Sequence, residues 1–205
     1  EDTRLINENG HRVFIESVKQ CKAWRKTLDA RFQVAVNKSA VQFVNADSKH
    51  ATWTQHLPSA SGESNAVVVE ITESLLLEAS EQVTERLREY RSQGIQIALD
   101  DFGTGYSSLS YLRTFEIDYL KIDRSFVANL ADCAADKVLC KSIIEMAHSL
   151  DIQVIAEGIE TKEQQDILFE AGCDYGQGYY FAKPLSPQDL EAYVESKVKA
   201  ESLIG

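Results

Sequence analysis

The chain has 205 residues, 44% hydrophobic and 26% charged, with a formal net charge of −11. That length is enough for one domain with a proper core, and the acidic balance excludes the basic groove of a DNA- or RNA-polymer binder. No run approaches the ~18 apolar residues of a membrane span, Glu1-Asp2-Thr3-Arg4 is not a signal peptide, and Cys21, Cys133, Cys140 and Cys173 form no C-x-x-C pair, so a cytoplasmic domain with reduced thiols is expected.

Taken in order, Phe14, Val18, Cys21, Trp24 and Leu28 step by threes and fours and predict a helix over residues 11–28. Residues 32–36 read as a strand ending at Asn37. Residues 47–57 predict a short helix closed by Pro58, and residues 59–65 a polar turn. The β-branched run 67–69 predicts a strand that delivers Glu70, followed by Ile71-Thr72-Glu73. A helix over 80–93 turns Val83, Leu87 and Tyr90 inward and ends at Gly94. The apolar run 95–99 predicts a buried strand that stops at two adjacent carboxylates, Asp100 and Asp101. A glycine- and hydroxyl-rich loop follows to Ser108, with a short helix within 106–115. Residues 119–123 are the next strand, and a helix over 135–150 aligns Leu139, Ile143, Met146 and Leu150. Residues 152–156 form a strand ending at Glu157. Thr161 with Gln164 is a capping box that opens a helix to Ala171. Residues 176–181 are the last predicted strand, and Ser186-Pro187 starts the last helix.

Strand and helix alternate six times, the pattern of a parallel β/α protein. The expected fold is α/β, a TIM-like (β/α) barrel, incomplete here because six units leave it two N-terminal strands short of eight. Residues 1–205 read as one domain. A buried parallel strand should be apolar, yet these strands deliver Asn37, Glu70, Asp100, Asp101, Lys121, Glu157 and Gln177 at or near their C-terminal ends. In a β/α barrel those ends open on one face, where the active site lies. Four carboxylates with two carboxamides and one lysine suit hard divalent cations. Two such ions can activate water and clamp a phosphate. A solvated Asp-Asp turn is the plain alternative for the acidic pair alone, but it does not account for polar ends on all six strands.

The motifs resemble the EAL domain of bacterial cyclic-di-GMP phosphodiesterases. The matching stretches are Asn37 to Phe43, Glu70-Ile71-Thr72-Glu73-Ser74, Asp100 to Leu112, Lys121 to Phe126, Ala156 to Thr161, and Gln177 to Pro184. The resemblance implies hydrolysis of cyclic di-GMP to linear pGpG with Mg²⁺ or Mn²⁺, in a two-metal site that Ca²⁺ inhibits. It implies that Asn37, Glu70, Asp100, Asp101 and Glu157 are metal ligands. Lys121 resembles the lysine that contacts water and phosphate, and Gln177 the glutamine that positions a metal-bound water. Glu73 resembles the glutamate that anchors the 101–108 loop, which the family uses in dimer contacts. Glu160 matches a second glutamate beside the site, and Phe181 and Pro184 lie where a guanine is bordered. A homodimer is implied, with an upstream sensor or GGDEF-type domain in a parent protein whose tether to a membrane stays open.

One departure stands out. The Glu-Ala-Leu tripeptide that names the family does not occur in these 205 residues, and its glutamate is a metal ligand. The chain therefore reads as an N-terminally truncated domain with impaired turnover. The alternative is a catalytically silent cyclic-di-GMP-binding or signalling module.

Overall fold

A computed structural model describes residues 3–44, 66–77, 80–104 and 109–202. The predicted helix over 47–57 and turn over 59–65 lie outside the described residues. The first helix, α1 (Thr3–Thr27), leads into β1 (Val34–Asn37) and a short α2 (Ala40–Val44). β2 (Val67–Thr72), α3 (Glu73–Leu77) and α4 (Glu81–Ser92) follow, then β3 (Gln96–Phe102), α5 (Leu109–Thr114) and β4 (Tyr119–Ile122). The remainder is α6 (Arg124–Ala128), α7 (Ala134–His148), β5 (Gln153–Ala156), α8 (Lys162–Glu170), β6 (Tyr175–Gly176) and α9 (Pro187–Ser202).

The six strands form one all-parallel sheet in chain order, β1 to β6. Among the described residues this half-barrel has two edges, β1 and β6. The first and last helices meet: the indole nitrogen of Trp24 donates to the Glu191 carboxylate at 2.8 Å.

Side chains alternate across a strand, and the register assigns each residue a face. Val36, Val67, Val69, Ile71, Ile97, Leu99, Leu120, Ile122 and Val154 face the helices, with Phe14, Val18, Leu87, Ile144 and Leu168 among the residues that cover them. The inner face is different. A small apolar patch of Val68, Ala98 and Tyr119, with Ile155 beside it, lies midway. Below it Gln33 and Tyr119 both hydrogen-bond Gln96. Above it, towards the strand C-termini, the same face carries the charges.

Local sequence signals account for much of this. Ser80 caps α4 by accepting from the Val83 amide, and Thr161 with Gln164 forms the reciprocal capping box of α8. Ser186 caps α9 through the Asp189 amide.

Three expectations need correction. The buried face of α7 is Cys140, Ile143, Ile144 and Ala147, whereas Leu139 and Leu150 are exposed. β3 does not stop before the acidic pair but runs through Asp100 and Asp101 to Phe102. The last strand spans only Tyr175–Gly176. Beyond it the Tyr180 amide bonds to the Ile159 carbonyl and the chain turns.

Candidate metal centre and active site

The site is assembled by a break in the sheet. Between β3 and β4, Leu99 pairs with Leu120 and Phe102 with Ile122. Asp100 and Asp101 together therefore oppose the single residue Lys121, which is a β-bulge. Asp101 takes a left-handed backbone, φ 55°, and the Thr104 hydroxyl donates to its carbonyl at 2.8 Å. In a regular strand two consecutive side chains point to opposite faces. The bulge instead leaves oxygens of Asp100, Asp101 and Glu157 all within 4.8 Å of one another.

Lys121 reaches into this group from β4 and is 3% exposed. Its ammonium lies 2.8 Å from Glu70, 3.0 Å from Asp100 and 2.7 Å from Glu157. Burial works against its charge, but hydrogen bonds to Glu157, Glu70 and Asp100 outweigh that and hold its pKa above that of an ordinary lysine. Burial raises the Glu157 pKa, with Asp100 and Glu70 adding to the rise and Lys121 opposing it. Asp101 is also raised, by burial and then by the neighbouring Asp100 and Asp123 charges.

The remaining candidates lie on β1, on α3 and in the segment that follows β5. Asn37 ends β1 in register with Glu70 and is exposed. Gln177 follows β6, its backbone N–H donating to the Ala156 carbonyl at 2.8 Å. Gln177 and Glu160 line a cavity of about 240 Å³ together with Arg124, Glu157 and Tyr179. Glu73 is buried at the first position of α3. Its expected loop partners at 105–108 lie outside the described residues. Phe181 packs on Gly176 and its carbonyl accepts from the Tyr193 hydroxyl at 2.9 Å. Neither Phe181 nor Pro184 lines the cavity beside Glu157. The four cysteines are free thiols.

Sequence reasoning missed Arg124 and Tyr179. The signal for Arg124 was its place directly after the strand end Lys121-Ile122-Asp123. A larger cavity, about 530 Å³, lies at the opposite end of β3–β5, where Arg91 is paired with Glu116 and Asp118.

A parallel half-barrel whose strand C-termini gather four carboxylates around one lysine is an α/β domain with a cluster of hard oxygen donors. The chain belongs to the EAL domain family, whose profile matches residues 1–184. It is 39% identical over 199 residues to the signaling protein YkoW of Bacillus subtilis, covering 95% of this chain and 24% of that protein. It is 35% identical over 197 residues to the bifunctional diguanylate cyclase/cyclic di-GMP phosphodiesterase MucR of Pseudomonas aeruginosa, covering 95% of this chain and 28% of MucR. A solved MucR phosphodiesterase structure in complex with c-di-GMP superposes with a TM-score of 0.83 at 34% identity, over 93% of this chain and 76% of that one. A manganese/cy-diGMP complex of Klebsiella pneumoniae BlrP1 superposes with a TM-score of 0.74 at 26% identity, over 89% of this chain and 45% of that one. The chain thus spans about a quarter of the length of these curated relatives. Among the described residues no helix is long and apolar enough to cross a membrane.

Proposed function

We propose that the domain hydrolyses cyclic di-GMP to linear pGpG with Mg²⁺ or Mn²⁺. The observation that carries the reading is the bulge-built cluster of Asp100, Asp101 and Glu157, whose oxygens lie within 4.8 Å of one another. Hard carboxylate oxygens at that spacing fit a hard divalent cation. Asn37, Glu70, Asp100, Asp101 and Glu157 would hold the metal. Bound there, two cations would supply an activated water and charge neutralisation at the phosphate.

The chain's own residues have separate tasks. Lys121 keeps the carboxylates assembled and places a positive charge under the reacting phosphate. Gln177 offers an amide to the attacking water, and Glu157, its pKa raised by burial, can take a proton from it. Glu73 steadies the 101–108 loop and with it Asp101. Glu160, Phe181 and Pro184 contribute to the nucleotide site. The proposal extends to a cytoplasmic homodimer, joined in a longer parent to a sensor or a GGDEF-type domain.

The second reading is a silent cyclic-di-GMP-binding module, in which the site holds the dinucleotide without cleaving it. Turnover of cyclic di-GMP in Mg²⁺, with binding measured in Ca²⁺, separates the two. Production of pGpG is the expected result. Binding in Ca²⁺ with no pGpG in Mg²⁺ or Mn²⁺ would establish the silent module instead.

A further inference from the structure

The centre is crowded with negative charge, and its one buried cation is fully engaged. An ammonium has three N–H groups, and those of Lys121 serve Glu70, Asp100 and Glu157 at 2.7–3.0 Å. A nucleotide substrate with two phosphates brings further negative charge to a surface already carrying Glu70, Asp100, Asp101 and Glu157. The cavity that adjoins Glu157 contains a second cation, Arg124.

Arg124 is exposed, and its guanidinium forms no ion pair with a described residue. Its charge is nevertheless felt by both Asp101 and Asp123. Its backbone is held from two sides. Asp123 caps α6, accepting from the Ser125 amide at 2.9 Å. On the other side Gly158, at φ +69°, brings the loop after β5 so close that a Cβ there would lie 2.5 Å from the Arg124 Cβ. Gly178 likewise presses the loop after β6 onto Ile159, where a Cβ would lie 2.1 Å from the Ile159 carbonyl oxygen. Three loops are thus packed into one wall, with Arg124, Glu160, Gln177 and Tyr179 turned to the same cavity of about 240 Å³. A guanidinium anchored at its root and free at its tip is suited to two parallel hydrogen bonds to a phosphate.

We propose that Arg124 binds the non-reacting phosphate of the dinucleotide in the cavity beside Glu157, while the reacting phosphate sits over the carboxylates. This rests on the phosphodiesterase reading for the identity of the substrate, but the arginine–phosphate contact can be read separately. Removing one exposed charge-assisted pair of bonds should cost about tenfold in affinity.

The test uses the whole chain and two simple probes, GMP and guanosine, alongside cyclic di-GMP. In chelator, where no metal can hold a phosphate, wild type should bind GMP more tightly than guanosine. Arg124→Ala should abolish that difference and weaken cyclic di-GMP binding about tenfold, with Arg124→Lys intermediate and Mn²⁺ binding unchanged. In turnover, KM should rise about tenfold in Arg124→Ala while kcat changes less. Equal GMP and guanosine affinities in wild type, or an unchanged KM in Arg124→Ala, would overturn the assignment and leave the phosphodiesterase reading intact. A GMP preference lost in Arg124→Ala, in a protein that never cleaves cyclic di-GMP, would support the assignment and refute the activity.

Discussion

Replacing Lys121 by methionine tests the idea that this lysine is the internal counter-ion of the centre. The substitution keeps length and apolar stem but removes the charge that Glu70, Asp100 and Glu157 share at 2.7–3.0 Å. The side chains of these carboxylates are only 9%, 15% and 19% exposed, so water replaces the lysine only in part. Leaving one partner of a buried pair uncompensated costs roughly 3–5 kcal/mol. Repulsion between two of the carboxylates, with oxygens within 4.8 Å, is on the order of 3 kcal/mol at an effective dielectric of ~20. Some of that cost is relieved by proton uptake, so a loss of about 3 kcal/mol at neutral pH is expected, or roughly 10 °C in Tm for a domain of this size. The sign with pH follows. Lys121 is raised above its ordinary 10.5 in the folded state, so its stabilisation is fully present below 10.5 and is lost only as pH rises through the folded value. The deficit of Lys121→Met should shrink in acid, as the carboxylates protonate, and should also shrink when Mg²⁺ or Mn²⁺ supplies the missing charge. Calorimetric or circular-dichroism melts, with chelator and with metal, measure both. Equal melting of variant and wild type in chelator, or equal stabilisation of both by metal, would refute the reasoning.

Three further substitutions, two at Asp101 and one at Lys38, have expected outcomes. Asp101→Asn should fold with unchanged stability, because asparagine tolerates the left-handed backbone at φ 55°, but should bind Mn²⁺ more weakly. Asp101→Val should lose about 1–2 kcal/mol in a denaturant melt. Lys38, 6% exposed, is hydrogen-bonded to the Tyr90 hydroxyl, and burial followed by the Arg86 charge lowers its pKa from 10.5 to about 7. The cost of burying it charged is fully present below about pH 7 and fades as pH rises towards 10.5. The stability of Lys38→Met relative to wild type should therefore fall by on the order of 2 kcal/mol between pH 6 and 9, and a constant difference would contradict the lowered pKa.

Local chemistry was the readable part of the fold. The caps at Thr161 and Ser186 depend on residues three apart, and the apolar runs depend on the strand's own composition. What failed were features decided by distant partners. On α7 two overlapping stripes compete, and the small residues Cys140 and Ala147 win the inward face because they let the helix sit close to β5. The aromatic run Tyr179-Tyr180-Phe181 has strand composition, but Gly178 fits against Ile159 and turns the chain before a ladder can extend. The strand-end polar residues were legible as a set because they violate the apolar rule for buried parallel strands. Their mutual arrangement was not, because it depends on a pairing with β4 that leaves no local mark.

That pairing explains why consecutive aspartates can serve one centre. A regular β3 would send Asp100 to the inner face and Asp101 into the helix-facing core, where Leu99 and Phe102 are buried. An unpaired carboxylate in that layer would cost several kcal/mol or stay protonated. The extra residue of the bulge turns Asp101 out of the core, while Phe102, one position later, regains a helix-facing place opposite Ile122. The bulge also lies opposite Lys121, so both aspartates flank the cation that offsets their repulsion. A single inserted residue thus protects the apolar layer, doubles the number of carboxylates that β3 contributes to the inner face and aligns them with their counter-ion. Deleting Asp100 or Asp101 would restore a regular ladder with Lys121 but leave one aspartate where the cluster now holds two.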